Sequence, residues 1–69
     1  MQNRETLLNR IIVDPKILTG KPIIKGTRLA VEHLLDLLAE GMTNEEILKE
    51  HEQLREDDIL ACILFARQN

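Results

Sequence analysis

Gly20-Lys21-Pro22-Ile23-Ile24-Lys25-Gly26-Thr27-Arg28 is the stretch on which the reading of this chain turns. Glycine takes positive φ without steric cost, and proline holds φ near −65°. Gly20-Lys21-Pro22 and Gly26-Thr27 therefore read as bends. Lys21, preceding Pro22, is pushed toward extended geometry. Between the bends stand two β-branched isoleucines, which favour a strand. Gly20, Pro22, Gly26 and Thr27 thus specify a fixed elbow, with Lys21, Lys25 and Arg28 displayed along it.

Upstream, Arg10-Ile11-Ile12-Val13 is a β-branched run closed by Asp14-Pro15, the pattern of a strand entering a turn. Residues 16–19 read as a connector, and residues 1–9 show little organisation beyond a helical turn over Thr6 to Leu8. The second extended piece runs from Ile23 to Leu29. It pairs with the first either within one chain or across a dimer. Asp14 and Arg28 flank the two pieces and are expected to form an ion pair.

From Val31 the period changes from two to 3.6. Val31, Leu34, Leu35 and Leu38 follow i, i+3, i+4, i+7, and Gly41 stands where a helix-ending glycine belongs. Thr43-Asn44-Glu45-Glu46 is a capping box that starts a second helix reaching about His51, with Ile47 and Leu48 inward. A third helix begins at Asp57-Asp58, two acids suited to the positive end of the helix dipole. Eight consecutive apolar residues follow, Ile59 to Ala66. A helix apolar on every side is buried on every side. Two short preceding helices cannot cover it, so Leu60, Ile63, Leu64 and Phe65 are expected to meet another chain.

The sequence has 69 residues, enough for one domain near the lower limit of independent folding. Small domains lean on a disulfide, a metal or a partner chain. Cys62 is the single cysteine, so no internal disulfide forms. His33, His51 and Cys62 lack metal-ligand spacing. Self-association is the remaining support, and a homodimer or larger assembly is expected. Residues 1–29 form a basic β arm with six cations against two acids, net +4. Residues 30–69 form a helical bundle with three cations against ten acids, net −7. Arg10, Lys16, Lys21, Lys25 and Arg28 are therefore the candidate contacts to an acidic partner or to nucleic acid. The alternative is that they dock on the acidic helices of the same chain or of a twin.

Catalysis finds no support. Serine is absent, Cys62 has no histidine placed to activate it, and the paired acids sit at helix starts. A phosphate-binding loop is excluded because Pro15 stands where its first glycine falls. Neither a cofactor nor a metal is expected. No secretory leader pattern and no 18-residue apolar run is present, so a cytoplasmic protein is predicted.

Asp14-Pro15, the Gly20–Arg28 stretch, the two amphipathic helices and Leu54-x-x-Asp57-Asp58-Ile59 together resemble the family catalogued as domain of unknown function 433. The resemblance runs from about Arg10 onward. It implies a mainly α protein, a three-helix homeodomain-like (helix-turn-helix) domain preceded by a short β-hairpin element. It also implies the antitoxin of a bacterial toxin–antitoxin pair, similar to VapB-type proteins whose partner is a PIN-like ribonuclease. Three positions depart from the family pattern. Ala30 stands for a proline at the first helix start, His51-Glu52 for a Tyr-Pro pair, and Arg55 for a threonine cap.

A recognition helix needs outward Arg, Lys, Asn or Gln to reach base edges. The third helix offers acids first, aliphatics next, and Arg67 and Gln68 only at its tail. DNA binding is expected to be weak and carried by the basic arm. A stand-alone oligomerisation module and a small DNA-binding regulator are the competing readings.

Overall fold

The computed structural model describes residues 3–68. Its elements are α1 (Arg4–Leu8), β1 (Ile11–Val13), β2 (Pro22–Ile24), α2 (Val31–Ala39), α3 (Asn44–Glu50) and α4 (Glu56–Gln68). The fold is mainly helical with one short antiparallel hairpin.

β1 and β2 pair within the chain, Ile11 with Ile24, Ile12 with Ile23 and Val13 with Pro22. This settles the alternative left open by the sequence. The second strand ends at Ile24, short of the expected Leu29. Lys25 and Gly26 turn the chain back, so that Ala30 bridges Ile23 on the far side of β2. The turn closes with the Thr27 N–H donating to the Ile24 carbonyl at 3.0 Å. Gly26, at its third position, has φ +84°, as a type II turn requires. Thr27 Oγ1 locks the bend, donating to the Ile24 carbonyl at 2.7 Å and accepting from the Leu29 N–H at 3.0 Å.

A Cβ added at Gly26 meets no atom within 4 Å, so a substitution there tests backbone strain alone. Gly26→Val is expected to destabilise by about 1–3 kcal/mol, the range for a side chain forced into left-handed φ. An unchanged urea midpoint would refute the strain.

The helical half follows its local signals closely. Gly41 has φ +99°, its N–H donates to the Leu38 carbonyl, and the Met42 N–H donates to Leu37, which completes a Schellman motif. The capping box is fully formed. The Glu46 N–H donates to Thr43 Oγ1 at 3.1 Å, and Glu46 Oε1 accepts from the Thr43 N–H at 2.9 Å. That amide, and then the hydroxyl, hold the Glu46 carboxyl below its usual range. The stabilisation is therefore complete above the ordinary carboxylate pKa and is lost as acid titrates the folded carboxylate. Ala30 caps α2 with no side-chain bond, so that start lacks the fixed geometry of the other two.

Ile24, Val31, Leu34, Ile47, Leu54, Ile59 and Cys62 form the core, where β2, α2, α3 and α4 converge. The helix α1 is an addition to the expected three. Asn3 caps it, its side chain accepting from the Thr6 N–H at 2.8 Å. It packs along α4. The basic segment is thus no free arm: its first helix lies on the last one. α1 thus covers part of α4 that the two preceding helices leave open, while Leu60 and Ile63 remain exposed.

Candidate protein-interaction surfaces

The five basic residues separate into two groups. Arg10 follows α1 directly, and its guanidinium reaches the start of α4. It lies 3.1 Å from Asp58 Oδ1 and 3.5 Å from Asp57 Oδ2. Asp58 is buried, and its second oxygen accepts from the Arg55 N–H at 2.9 Å. Asp58 therefore makes the half of a capping box that Glu46 makes at α3, accepting from the N–H of the residue before its helix, while Arg55 has no side-chain hydroxyl to make the other half. Lys21 Nζ donates to Glu32 Oε1 at 2.7 Å, tying the elbow to the first turn of α2. The bond, and then the charge of Glu32, raise the lysine pKa. Both partners are exposed, so solvent screens the pair and its effect is orientation.

Lys16, Lys25 and Arg28 form the second group. All three are exposed, and none makes an ion pair among the described residues. The expected Asp14–Arg28 pair does not form. Asp14 Oδ1 instead accepts from the Lys16 N–H at 2.9 Å, closing the turn locally. Lys25 has a fixed backbone, its N–H donating to the Arg10 carbonyl at 2.7 Å, and an ammonium that makes no ion pair among the described residues. Such placement presents a cation from a rigid support, which limits the entropy lost on contact.

Thr6, Asn9, Arg10, Lys25 and Asp58 line a shallow cleft of about 340 Å³. Two cations face one carboxylate there, so the cleft is polar and net positive. Thr6 and Asn9 escaped sequence reading because a five-residue helix has little stability of its own, and only packing on α4 defines it.

Leu18, Thr19 and Gly20 have φ of +48°, +54° and +82°, a left-handed turn just before the elbow. The sequence marks only its glycine. Each non-glycine residue in that region costs about 1–2 kcal/mol. Leu18 is exposed there beside Thr19, Lys21, Ala30 and Glu32, which line a second cleft of about 310 Å³. A strained backbone carrying an exposed leucine is a feature of functional surfaces.

On α4, Leu60 is 49% and Ile63 39% exposed, with Leu64 half-buried beside them. At i, i+3, i+4 they make one stripe on the helix. Phe65 packs partly on the core. Cys62 is fully buried, and its thiol is pushed up to about 12, by burial first and the Asp58 charge second. At neutral pH such a thiol holds no appreciable thiolate and does not act as a nucleophile. Among the described residues no cluster of three His, Cys, Asp or Glu could hold a metal ion, and no helix is long and apolar enough to cross a membrane.

The model of a family described as "Protein of unknown function (DUF433)" matches residues 11–66. The crystal structure of a DUF433 member protein from Anabaena variabilis ATCC 29413 superposes with a TM-score of 0.85 at 28% identity. The alignment covers 94% of this chain and 64% of that one, so the present chain spans under two thirds of its solved neighbour. An uncharacterized protein of Archaeoglobus fulgidus is 52% identical over 25 residues, 36% of this chain and 69% of the relative.

Proposed function

The chain belongs to the DUF433 family, and on that premise we propose that it is a non-catalytic binding protein, the antitoxin of a bacterial type II toxin–antitoxin pair. In this reading it acts in the cytoplasm as a homodimer or larger assembly and neutralises a PIN-like ribonuclease. The observation that carries the reading is the set of free cations on rigid turns, Lys16, Lys25 and Arg28, on a chain with a buried, inert thiol. A PIN-like active site is a cluster of carboxylates around a divalent metal. A lysine or arginine held on a tight turn can enter such a cluster and neutralise it. The apolar stripe on α4 supplies the desolvated contact that charge alone does not give.

The homeodomain-like description belongs to the same reading. The three core helices α2, α3 and α4 follow the helix-turn-helix order, with residues 40–43 as the short link. Operator DNA is a weak ligand in this account. Lys16, Lys25 and Arg28 would contact phosphates, so affinity should fall steeply with salt and alike for all sequences.

The test is co-purification with the product of the neighbouring reading frame, followed by a ribonuclease assay. Inhibition should be lost with Lys25→Glu and Arg28→Glu combined, while circular dichroism stays unchanged. A double variant that inhibits as well as the parent protein would overturn the proposed neutralisation. Tight, sequence-selective DNA binding that is lost on changing Arg67 or Gln68 would favour the regulator instead.

A further inference from the structure

The outer edge of β1 is open, and its hydrogen-bonding pattern fixes what can close it. The Lys25 N–H donates to the Arg10 carbonyl at 2.7 Å, and the Ile24 N–H turns away to the Leu29 carbonyl at 3.0 Å. Residues opposite each other in an antiparallel ladder alternate between bonded and non-bonded pairs. Arg10–Lys25 is a bonded pair, so Ile12–Ile23 is the next one. Ile11 and Val13 therefore direct their N–H and C=O groups away from β2. Among the described residues those groups meet no partner. Pro22, opposite Val13, has its missing N–H on the side away from β1, which explains why proline is tolerated in this strand.

The far side of β2 is closed by Leu29 and Ala30. On the β1 side the strand is short, three residues, and carries no protecting residue within it. Ile11-Ile12-Val13 contains no lysine, proline or bulge, and Val13 is 59% exposed. A bare β-branched edge of this kind is a template for another strand.

We propose that β1 pairs antiparallel with β1 of a second copy of this chain, about a two-fold axis at Ile12. Three registers match outward groups with outward groups. Centring on Ile11 leaves Val13 facing Asn9, outside the strand. Centring on Val13 sets Ile11 against Pro15, which has no N–H to give. Centring on Ile12 sets Ile11 against the partner's Val13, and Val13 against the partner's Ile11, so every outward group is used. The same register places Arg10, whose guanidinium stays with Asp57 and Asp58, across from the partner's Asp14, so like charges do not meet at either end of the contact. The result is one sheet in the order β2–β1–β1–β2, a closed and self-complementary interface. The stripe on α4 stays free for a different protein. The pairing gives a structure to the homodimer of the proposed function but needs no nuclease, so its failure is distinct from a failure of nuclease neutralisation.

Sedimentation and disulfide trapping test it on the full chain. Val13→Pro removes an outward N–H without touching the β1–β2 ladder, and should raise the dimer dissociation constant at least tenfold while circular dichroism stays native. Ile12→Cys should cross-link to itself under mild oxidation. Residues in a non-bonded pair have Cα atoms about 4.5 Å apart, within disulfide reach. Val13→Cys, offset from its own copy in this register, should cross-link far more slowly. If Val13→Pro fails to fold, the two cysteine variants decide the matter alone. A monomeric parent protein, equal cross-linking by the two cysteines, or a dimer lost with Leu60→Glu but kept with Val13→Pro would overturn the proposal.

Discussion

Replacing Arg10 by methionine is expected to lower the stability of this protein by about 2–3 kcal/mol. Methionine keeps most of the aliphatic stem, so the loss reports the charge and its hydrogen bonds. Asp58 is only 6% exposed and would keep just the Arg55 N–H as a partner. Stranding a fully buried charge costs about 3–5 kcal/mol. The Arg10 side chain is itself 28% exposed, so water offsets part of that penalty. Asp57→Asn should cost under about 1 kcal/mol, because its side chain is 39% exposed and its oxygen lies farther away, at 3.5 Å. Urea denaturation of the two variants checks the difference. A loss below about 0.5 kcal/mol for Arg10→Met, the ordinary surface range, would mean that solvent screens the pair fully.

Ile59→Ala should have the larger effect, about 2–5 kcal/mol, from lost burial and the cavity left behind. Ile59 is completely buried among Ile24, Leu34, Ile47 and Cys62. At about 0.05–0.15 kcal/mol per residue, a chain of 69 residues holds roughly 3–10 kcal/mol in all. The variant should therefore lose from about a fifth to all of its stability. Leu60→Ala, one position along, should change stability by less than about 0.5 kcal/mol when measured at low concentration, because that side chain is 49% exposed. Equal losses at the two positions would show that α4 presents a different face to the core.

That contrast marks where sequence reading stops. The apolar run from Ile59 to Ala66 has no period, so no local pattern separates inward Ile59 and Cys62 from outward Leu60 and Ile63. The choice is made by α1, β1 and α2 packing around α4, and of α1 the sequence signals no more than the turn over Thr6 to Leu8. Glycine turns and the capping box, set within four or five residues, were legible, whereas the left-handed Leu18 and Thr19 were not. Gly26 and Gly41 carry the positive φ that their turns demand, and Thr43 with Glu46 makes both bonds of its box. The extended reading of Ile23 to Leu29 failed because Thr27 Oγ1 bonds backward to Ile24 and forward to Leu29, which a β-branched run does not reveal. The basic residues were found by charge alone. Their division into Arg10 and Lys21, held by acids, and Lys16, Lys25 and Arg28, left free, depends on contacts across the fold. Asp58 lies 48 residues from Arg10.

That separation also bears on how the protein is made. At about 5–20 residues per second, translation reaches Asp58 roughly 2–10 s after Arg10 has been added. The turn at Gly26 and the helical hairpin around Gly41 can form from local contacts during that interval, since such structures close in microseconds. Arg10 and the helix before it cannot, because the surface they settle on does not yet exist. On the nascent chain residues 4–10 have no surface to pack on, and they become part of the globule only when the fourth helix arrives.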